Sequence, residues 1–406
     1  MSRLANKHII IGVTGGIAAY KSPELVRRLV EEAAQIQVVM SHHAQSFITP
    51  LTLQAVSGNP VRTELIDEGA EAAMSHIELA RWADLIVVAP ATANFMARLA
   101  GGFADDLLAT LCLAARGPVA LAPAMNEVMW SAAATRRNAR QLEADERLLW
   151  GPGVGSQACG DEGPGRMLEP HALVEHCIAA LTPKSLEGLY VVVTAGPTRE
   201  AFDPVRYISN HSSGKQGFAM AAAAAAAGAH VELVTGPVSL PTPVGTHRTD
   251  LSSASEMYAA VMDKTANADI FIGVAAVSDY RPKHVQPQKI KKGRIEGEQL
   301  EIELVQNADI AACVASQQPG VYTVGFAAET QHLERHAREK RVRKGLDMII
   351  ANDVSDQSIG FNSDENAVTL VWDDGESRIA STPKSELGTI LIERITELYR
   401  QSPKAR

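Results

Sequence analysis

The feature that most constrains the fold of this chain is a pattern that occurs twice: a β-branched strand, a glycine turn, a helix and a second strand. In the first copy, "KHIIIGVTGGIAAYKSPELVRRLVEEAAQIQVVMS", the predicted strands lie at residues 8–13 and 36–40. The second copy begins with "GLYVVVTAGPTRE", a predicted strand at 190–195, and continues after an insertion with an alanine-rich helix that is stopped by Gly228. Each copy opens a βαβ unit, so the sequence predicts two Rossmann-like α/β domains in tandem.

Longer apolar runs support a parallel sheet in each half. Strands that are buried on both faces are nearly continuous in apolar residues, as in "ADLIVVAPA", "GPVALAPAM", "ADIFIGVAAV", "YTVGFAAE" and "LDMIIAND". Ligand sites gather at the carboxyl ends of such strands. A proline-containing polar break, "LTPKSLEG" at 181–188, marks the predicted boundary between a first domain at 1–185 and a second at 186–406.

Composition and charge exclude several functional classes. The 406 residues are 46% hydrophobic and carry a formal net charge of −9, which argues against a general binder of nucleic acids or anionic membranes. The first apolar residues pass into a glycine turn and predict a strand instead of a signal peptide, and no apolar run reaches about 18 residues. The four cysteines lie far apart without CxxC spacing. We expect a soluble, reduced, cytoplasmic protein with no membrane or nucleic-acid partner.

The first glycine turn differs from the GxGxxG fingerprint of dinucleotide-binding proteins. Its glycines are Gly12, Gly15 and Gly16, and "VVMSHHAQSF" at the end of the second strand carries no acidic residue, so a plain NAD site is disfavoured. Backbone N–H groups at the start of the helix from Ile17 can still bind a phosphate, and Ser41 can add a hydroxyl. The structural alternative is a tight strand-to-helix turn with no ligand.

Polar side chains occur at strand ends or in loops elsewhere in the first half. "SHIEL" contains His76, "APATANF" contains Thr92 and Asn94, "APAMNEVMW" contains Asn126, and "GSQACGDEGPGRM" contains Cys159. Each motif has a structural alternative when it is considered alone: His76 or Asn126 as a helix cap, and Cys159 as a small buried residue. The glycines on both sides of Cys159 predict a mobile loop.

Considered together, these motifs resemble the homo-oligomeric flavin-containing cysteine decarboxylases. The resemblance covers about residues 6–182 and rests on His76 in an HxxL motif, on the PxMNxxMW signature around Asn126, and on the glycine-rich motif around Cys159. It implies a flavodoxin-like fold, bound FMN, and decarboxylation of 4'-phosphopantothenoylcysteine by a homo-oligomer whose flavin sites lie between subunits. The FMN ligands that we expect are Gly15, Gly16, Ile17, Ser41, Thr92 and Asn94.

The chemistry of that reaction explains why these residue types occur together. Loss of CO₂ from a cysteine carboxylate leaves a carbanion, and oxidation of the thiol by flavin to a thioaldehyde supplies the electron sink. The resemblance implies that His76 assists removal of substrate protons, that Asn126 hydrogen-bonds the substrate carboxylate, and that Cys159 protonates the product carbon. The glycine-rich segment is then expected to be a flap that closes over the substrate and excludes water.

In the second half, "SNHSSGKQG" has the length of a Walker A loop but lacks two of its essential residues. Ser209 replaces the first glycine, and Gln216 replaces the Ser or Thr that binds magnesium, so an ordinary P-loop is disfavoured. The longer string "AGPTREAFDPVRYISNHSSGKQG", followed in order by "AAVSDY", "KIKK", "VGFAAET" and "REKRVRKGLDMIIAND", resembles the phosphopantothenate-cysteine ligases over about residues 188–400. The whole chain is therefore similar to bifunctional enzymes of coenzyme A biosynthesis.

Such a ligase must convert an unreactive carboxylate into an electrophile. The resemblance implies that CTP does so by forming an acyl-cytidylate, which the cysteine amine then attacks. A triphosphate accounts for local basic density in an acidic protein: Lys289, Lys291 and Lys292 in one loop, and Lys340 and Lys344 one helical turn apart. The alternative for "RHAREKRVRK" is a solvated helix face. Mg²⁺ is expected with the nucleotide, and its protein ligands are left open.

By the same resemblance, the CTP site comprises Gly273, Val274, Ala275, Asp279, Lys289, Ala308, Asp309, Ile310, Ala311, Phe326, Lys340 and Lys344. Asn210 is implied in the chemistry of the acyl-cytidylate, and Lys289 in its formation. The family usually has proline at the position of Ala308 and alanine at that of Ser278, differences that remove no charge or donor. The implied small-molecule substrates are 4'-phosphopantothenate, cysteine and CTP.

Two other functional classes stay open at this point. One is a flavin-binding regulatory protein of the same fold that has lost catalysis, and the presence of His76, Asn126 and Cys159 weighs against it. The other is a tandem-Rossmann NAD(P) oxidoreductase, and the absent dinucleotide fingerprint weighs against that. A visible spectrum of the purified protein distinguishes a flavoprotein from the oxidoreductase, and activity distinguishes the enzyme from the regulator.

Overall fold

The computed structural model describes residues 2–65, 75–291, 300–329, 333–353 and 363–405. The chain divides into two compact units, Met1–Thr182 and Pro183–Arg406. This division lies inside the polar break "LTPKSLEG" that marks the domain boundary in the sequence. Lys292 of the basic loop lies outside the described residues.

The first unit is built around a sheet of five strands, β1 (His8–Val13), β2 (Gln35–Met40), β3 (Leu85–Ala91), β4 (Val119–Pro123) and β5 (Leu148–Leu149). Their order is β2-β1-β3-β4-β5, and every pairing is parallel. This is the strand order of flavodoxin-like folds, which confirms the predicted fold class. Ile9 and Ile11 of β1 pack into one hydrophobic core and Ile10 into another, because side chains alternate between the faces of a strand.

Helices contribute to both cores of the first unit. They are α1 (Ser22–Glu31), α2 (Pro50–Ser57), α3 (His76–Trp82), α4 (Ala93–Ala100), α5 (Leu107–Ala114), α6 (Glu127–Ser131), α7 (Ala133–Ala144) and α8 (Pro170–Leu181). Helices α1 and α8 pack with the core of Ile9, whereas α3, α4 and α5 pack with that of Ile10. Proline occupies the first turn of α1, α2 and α8, where no intrahelical bond needs its missing N–H.

Two elements of the first unit differ from the expectation. The helix predicted to begin at Ile17 starts as a 3₁₀ helix, Ile17–Lys21, and continues as α1, since tight turns are common at helix starts. The glycine-rich stretch predicted as a mobile loop forms an antiparallel hairpin of β6 (Gly153–Ser156) and β7 (Glu162–Arg166). Gly160, with a φ of 91°, allows the turn between these strands.

The second unit contains an eight-stranded sheet in the order β12-β11-β8-β13-β16-β17-β18-β19. The strands are β8 (Tyr190–Ala195), β11 (His230–Thr235), β12 (Thr246–Asp250), β13 (Ile270–Gly273), β16 (Tyr322–Glu329), β17 (Met348–Asp353), β18 (Glu365–Trp372) and β19 (Gly375–Pro383). The first six strands in this order, from β12 to β17, pair in parallel, and the last two, β18 and β19, extend the sheet in antiparallel pairing. The parallel part has the Rossmann strand order, with its topological switch point between β8 and β13, where ligands bind in such sheets.

Helices α9 (Lys215–Ala226), α10 (Ala254–Thr265), α11 (Ile310–Gln317), α12 (Leu333–Lys344) and α13 (Lys384–Gln401) complete the second unit. The alanine-rich α9 ends before Gly228, whose φ of 93° favours glycine, so the predicted stop is confirmed. The small residues of α9 let α13 approach closely: a Cβ on Gly388 would lie 2.7 Å from the carbonyl oxygen of Ala219.

Two short antiparallel strand pairs follow the strands of the switch point. One joins β9 (Arg199–Ala201) to β10 (Tyr207–Ser209) after β8, and the other joins β14 (Tyr280–Pro282) to β15 (Leu304–Gln306) after β13. Within the described residues, no helix combines the length and the apolar character that crossing a membrane requires.

Candidate active sites

The carboxyl ends of β1, β2 and β3 form one polar edge in the first unit. The Thr14 hydroxyl donates a hydrogen bond to the Pro90 carbonyl at 2.8 Å and accepts one from the Thr92 N–H at 3.1 Å. The Ser41 N–H donates to the Val13 carbonyl at 3.0 Å. These bonds tie the turn after β1 to the ends of both neighbouring strands, as expected for a parallel sheet that gathers a ligand site.

Glycine is required at the centre of this edge. A Cβ on Gly15 would lie 2.5 Å from the Cβ of His43, which is too close for two non-bonded carbons. A Cβ on Gly16 would lie 3.5 Å from the nearest Thr92 carbon, and the side chain of Ile17 is exposed. The backbone of this turn, next to the Ser41 and Thr92 segments, has the donors that a phosphate ester needs.

The remaining residues of this edge lie at the start of α4. Thr92 caps the helix, because its side chain accepts from the Phe95 N–H at 3.3 Å, and Asn94 is exposed in the first turn. The residues predicted as FMN ligands therefore all lie directly after the carboxyl ends of β1, β2 and β3.

The side chain of Asn126 caps a helix with its oxygen and contacts polar side chains with its nitrogen. Its side-chain oxygen accepts from the Val128 N–H at 2.9 Å and caps α6, as one of the two interpretations of the sequence predicts. Its Nδ2 donates to Asp161 Oδ2 at 2.7 Å and lies 3.3 Å from Cys159 Sγ. Asn126, Cys159 and Asp161 thus form one group, here called the thiol cluster.

Cys159 lies in the turn of the β6–β7 hairpin. Its side chain is exposed and its thiol donates to Asp161 Oδ2 at 3.3 Å, so the interpretation as a small buried residue is wrong. The hairpin packs on the loop that leads to Asn126: the Met125 N–H donates to the Gly165 carbonyl at 2.9 Å, and a Cβ on Gly165 would lie 2.4 Å from the Met125 oxygen. Glycine in β7 therefore lets the hairpin bring the thiol to Asn126.

His76 is the first residue of α3 and is half-buried. The cap of that helix is Ser75, whose side chain accepts from the Glu78 N–H at 3.2 Å, so the interpretation of His76 as the cap is wrong. His76 follows shortly after residues 66–74, which are outside the described part of the chain.

In the second unit, a cavity of about 620 Å³ lies at the switch point. The turn after β8, the segment after β13 and the start of α11 line it. The residues predicted for the CTP site that line this cavity are Gly273, Val274, Ala275, Asp279, Ala308, Asp309, Ile310, Ala311, Phe326, Lys340 and Lys344. Asn210 lines it as well, whereas Lys289 is not one of its lining residues.

Side chains of the second sheet hold the segment after β13 in place. Thr194 Oγ1, at the end of β8, accepts from the N–H groups of Val274 at 3.2 Å and Ala275 at 3.3 Å. Thr198 Oγ1 accepts from the Ser278 N–H at 3.0 Å. The backbone of this segment is therefore fixed against β8 and forms a rigid wall of the cavity.

Asp309 and Lys344, which both line the cavity, form an ion pair. Asp309 caps α11 by accepting from the Ala312 N–H at 3.2 Å, and its other oxygen lies 2.8 Å from Lys344 Nζ. A carboxylate at a helix start and a lysine beside it stabilise each other. The lysine of α12 is thereby directed to the cavity instead of to solvent, so the solvated-face interpretation of "RHAREKRVRK" is incomplete.

Asn210 directly follows the β9–β10 hairpin. Its Nδ2 donates to the Val277 carbonyl at 3.0 Å, and the preceding Ser209 hydroxyl donates to the Thr198 carbonyl at 2.7 Å. The first bond attaches Asn210 to the wall formed after β13, and the second attaches Ser209 to the turn after β8, so the amide is oriented at the cavity before any ligand binds.

The same hairpin also holds the segment that carries Lys289. Asp203 Oδ2 accepts from the Ile290 N–H at 3.2 Å, and Arg206 Nη2 donates to the Ile290 carbonyl at 3.0 Å. Hydrogen bonds from Arg206, and then from backbone N–H groups, hold the pKa of Asp203 well below its usual range. Lys289 and Lys291 on either side of Ile290 are exposed.

Comparisons with known proteins agree with this geometry. A family model described as Flavoprotein matches residues 1–182, and the model for the C-terminal domain of DNA/pantothenate metabolism flavoproteins matches residues 186–399. The chain is 57% identical to the coenzyme A biosynthesis bifunctional protein CoaBC of Vibrio cholerae, over 98% of this chain and 100% of the relative. The CoaBC of Escherichia coli K12 is 55% identical over 98% of both chains, and that of Bacillus subtilis is 43% identical over 98% of this chain and 99% of the relative.

The chain belongs to the CoaBC family. It is a bifunctional enzyme of coenzyme A biosynthesis, with a decarboxylase unit of the flavoprotein type followed by a ligase unit. The NAD(P) oxidoreductase and the non-catalytic regulator, which the sequence leaves open, are thereby set aside.

Several cavity and hairpin residues escape the sequence analysis. In the first unit, Gln157 Oε1 accepts from the Glu127 N–H at 3.0 Å and from Asn126 Nδ2 at 3.3 Å, and so joins the thiol cluster to α6. In the second unit, the additional polar residues that line the cavity include Lys215, Gln216, Asn366 and Lys384. Lys215 and Gln216 stand in the string that fails as a Walker A loop, whereas Asn366 and Lys384 belong to no motif considered.

Among the described residues, no group of three or more His, Cys, Asp or Glu side chains is arranged to hold a metal ion.

Proposed function

We propose that the second unit joins 4'-phosphopantothenate to cysteine with CTP through an acyl-cytidylate, and that the first unit decarboxylates the product, 4'-phosphopantothenoylcysteine, with FMN. The observation that carries this proposal is the thiol cluster, in which an amide binds a carboxylate at 2.7 Å beside a thiol at 3.3 Å. These are the two contacts that a decarboxylase of a cysteine substrate needs: a donor for the carboxylate and a proton source for the product carbon.

Electron balance explains why the decarboxylase needs a flavin. FMN, when bound, takes two electrons from the substrate thiol and later returns them. The substrate passes from thiol to thioaldehyde, loses CO₂ as the C–C bond electrons move toward sulfur, and becomes an enethiol. Return of the electron pair as a hydride, together with one proton, would convert the two alkene carbons of the enethiol into CH₂ groups, so the net reaction would consume no external oxidant.

The residues of the first unit then have separate tasks. Half-buried His76 removes protons from the substrate during the oxidation, for which an imidazole is suited near neutral pH. Asn126 binds the substrate carboxylate through Nδ2, which donates without neutralising the charge that must be lost as CO₂. Cys159 delivers the proton to the product carbon from the turn of the β6–β7 hairpin, which acts as the flap.

The polar edge after β1, β2 and β3 fits FMN. Its donors are the backbone N–H groups of Gly15, Gly16 and Ile17 and the side chains of Ser41, Thr92 and Asn94. A set of neutral hydroxyl, amide and backbone donors suits a phosphate ester and the heteroatoms of a flavin ring.

A homo-oligomer with flavin sites between subunits agrees with the surface of the first unit. Apolar side chains are exposed around both parts of the site, with Ile17, Tyr20 and Leu51 near the polar edge and Val128 and Met129 on α6 beside Asn126. Exposed apolar patches of this kind mark protein contacts. The exposed Cys159 thiol would persist in the reducing cytoplasm, to which we assign the enzyme.

The cavity of the second unit suits CTP and its magnesium complex. Four lysines and two aspartates line it, so the lining is positive although the chain is acidic. Lys340, Lys344 and the start of α11 at Asp309–Ala311 provide charges and backbone donors for the nucleotide. Because the described residues hold no ready metal cluster, Mg²⁺ would enter with the triphosphate, with Asp279 as the carboxylate at hand.

Asn210 and Lys289 divide the chemistry of activation. Asn210 orients the acyl-cytidylate from the cavity wall, where its amide is fixed by the Val277 carbonyl. Lys289 offsets the negative charge that grows at the α-phosphate, which a neutral amide cannot do. The hairpin that precedes Asn210 also holds Ile290 next to Lys289, and this shared support favours their action at one centre.

A single assay tests the proposal. The full chain is incubated with 4'-phosphopantothenate, cysteine, CTP and Mg²⁺, and CMP and CO₂ are both measured. We expect both products in equal amounts, with FMN absorbance in the purified protein. EDTA should stop CMP release but leave the decarboxylation of added 4'-phosphopantothenoylcysteine unchanged. Absence of CMP, or CMP without CO₂, would contradict the proposal.

A further inference from the structure

Two long helices of the second unit begin at the same part of the cavity. Lys215 is the first residue of α9 and Lys384 the first residue of α13, and both lysines line the cavity. Neither helix start has a side-chain cap, since Gly214 and Pro383 occupy the capping positions. At the start of α13 the Lys384 N–H donates to the Asp364 carbonyl at 2.8 Å. At the start of α9 no side chain caps the backbone N–H groups, which can bind a ligand with acceptor atoms.

Among the residues that the structure describes, positive charge exceeds negative charge at this end of the cavity. Lys384 is only 7% exposed and donates to the Ser363 carbonyl at 2.6 Å. Burial and the charge of Lys215 lower the pKa of Lys384, against the opposing effect of Asp364. Asp364, the carboxylate paired with Lys215, is 85% exposed at its side chain and is thus largely solvated. Two ammonium groups near one solvated carboxylate favour an anionic ligand.

Two buried amides at this end lack hydrogen-bond partners. Asn366 is 4% exposed and its Oδ1 has none, and neither Gln216 Nε2 nor Gln216 Oε1 has any. Both side chains line the cavity. Buried polar atoms are nearly always paired in native proteins, so these atoms indicate a ligand that both accepts and donates hydrogen bonds.

We propose that Lys215, Gln216, Asn366 and Lys384 form a phosphoryl subsite, distinct from the nucleotide contacts of Lys340 and Lys344 on α12. The proposal rests on the proposed ligase function. A phosphoryl group has acceptor oxygens for the lysines, the start of α9 and the Gln216 amide, and a protonated oxygen or neighbouring hydroxyl can donate to Asn366 Oδ1.

This subsite differs from a P-loop in its construction. The string "SNHSSGKQG" follows the short hairpin strand β10 instead of a buried parallel strand of the main sheet. The second cation comes from Lys384, which is supplied by a helix near the end of the chain. The phosphoryl group can belong either to the terminal phosphates of CTP or to the ester phosphate of 4'-phosphopantothenate.

Calorimetric titration of the full chain distinguishes these two sources. For wild type, Lys215→Gln and Asn366→Leu, the dissociation constants are measured for two ligand pairs: CTP against CMP, and 4'-phosphopantothenate against pantothenate. For each pair, the affinity ratio is the affinity for the first ligand divided by the affinity for the second, which lacks the phosphoryl group in question. We expect one of the two ratios to fall about 10-fold in both variants, which is the effect of losing one charge-assisted hydrogen bond. The ratio that falls identifies the source, and the other ratio stays unchanged.

The matched control is Lys283→Gln. Lys283 also pairs with a single carboxylate, Glu303 at 2.7 Å, and is not one of the cavity-lining residues, so the variant has the same charge change and should leave both ratios unchanged. Lys384→Arg is added because it keeps the buried positive charge and should therefore fold. Normal ligand binding with both ratios unchanged in Lys215→Gln and Asn366→Leu would overturn the subsite alone. Failure of the wild type to bind CTP and 4'-phosphopantothenate would overturn the ligase function on which it rests.

Discussion

The two active sites differ in how their polar groups are paired before a substrate binds. In the first unit, the Asn126 amide already donates to the Asp161 carboxylate, and the Cys159 thiol donates to the same oxygen. In the cavity of the second unit, Gln216, Asn366 and Ser278 have buried polar atoms without partners. The amide and the thiol of the first site are thus paired with a carboxylate of the same site, and Gln157 Nε2 is the buried atom there that has no partner among the described residues. In the second site, four such atoms of Gln216, Asn366 and Ser278 are left to be paired by ligands.

This difference has an energetic consequence. A substrate carboxylate that binds Asn126 must displace Asp161, so it exchanges one hydrogen bond for another and gains little affinity from that contact. Ligands of the second site instead pair atoms whose burial without a partner costs about 1–3 kcal/mol each. Polar contacts should therefore contribute more to affinity in the ligase than in the decarboxylase.

The largest expected effect is that of Cys159→Ser on the first site. Serine keeps the size of the side chain but is a far weaker acid than the thiol, so proton delivery to the product carbon should fall by about 100-fold or more. Decarboxylation should still proceed and leave an unsaturated enethiol with the flavin reduced. Mass spectrometry of the product and the flavin spectrum check this, and normal 4'-phosphopantetheine formation would remove Cys159 from the mechanism.

A comparable change in the second site is Asn210→Asp. The carboxylate loses the donor to the Val277 carbonyl and adds negative charge beside the mixed anhydride. We expect activation to continue and attack by cysteine to slow by about 100-fold. With radiolabelled CTP, 4'-phosphopantothenate and no cysteine, the acyl-cytidylate should accumulate in Asn210→Asp and be absent in Lys289→Gln. Equal accumulation in both variants would disprove the division of tasks between these residues.

Some parts of the fold and of the two sites can be predicted from the sequence, and others cannot. Buried strands such as β1 and β8 are predictable because continuous β-branched runs leave few alternatives. Local motifs mark Asn126, Cys159 and Asn210 as candidate site residues, and the structure places Asn126 next to Cys159 and Asn210 at the cavity. Lys215 meets Asp364 across 149 residues of chain, and such long-range pairs follow from the packing of helices on the sheet, which no local pattern encodes.

The thiol cluster shows the same limit at short range. Glycines around Cys159 predict a mobile loop, yet the segment pairs as β6 and β7 because Gly165 lets the hairpin pack against Met125. Asp161 stands two residues from Cys159, but its contact with Asn126 depends on that hairpin register. The grouping of Asn126 with Cys159 is therefore more predictable from the sequence than the hydrogen bonds within the group.

A smaller effect is expected when the hydrogen bond between Asn126 and Asp161 in the first site is removed. Asp161→Ala frees the Asn126 amide, so 4'-phosphopantothenoylcysteine, which carries a carboxylate, should bind about 2- to 10-fold more tightly. Binding of 4'-phosphopantetheine, which has no carboxylate, should stay unchanged and is the control ligand. Both dissociation constants are measured by titration of the Asp161→Ala chain, and equal changes for the two ligands would contradict the displacement of Asp161.

The smallest effect concerns the hairpin that supports the second site. Because the pKa of Asp203 is lower in the folded than in the unfolded state, its pairing stabilises the second unit above the unfolded value, about pH 4, and less as the pH falls below it. Asp203→Asn should therefore lower the Tm most at neutral pH, and the difference from wild type should narrow in acid. Calorimetry measures this, with the transition of the first unit as internal control; a constant difference would contradict it.

The central claim, that one chain carries two separate reactions at two separate sites, is tested most directly by measuring both activities in Cys159→Ser and in Asn210→Asp full-length chains. We expect Cys159→Ser to release CMP at the wild-type rate but to form no 4'-phosphopantetheine. Asn210→Asp should form 4'-phosphopantetheine normally from added 4'-phosphopantothenoylcysteine but fail to make that intermediate from cysteine. Loss of both activities in either folded variant would contradict the account.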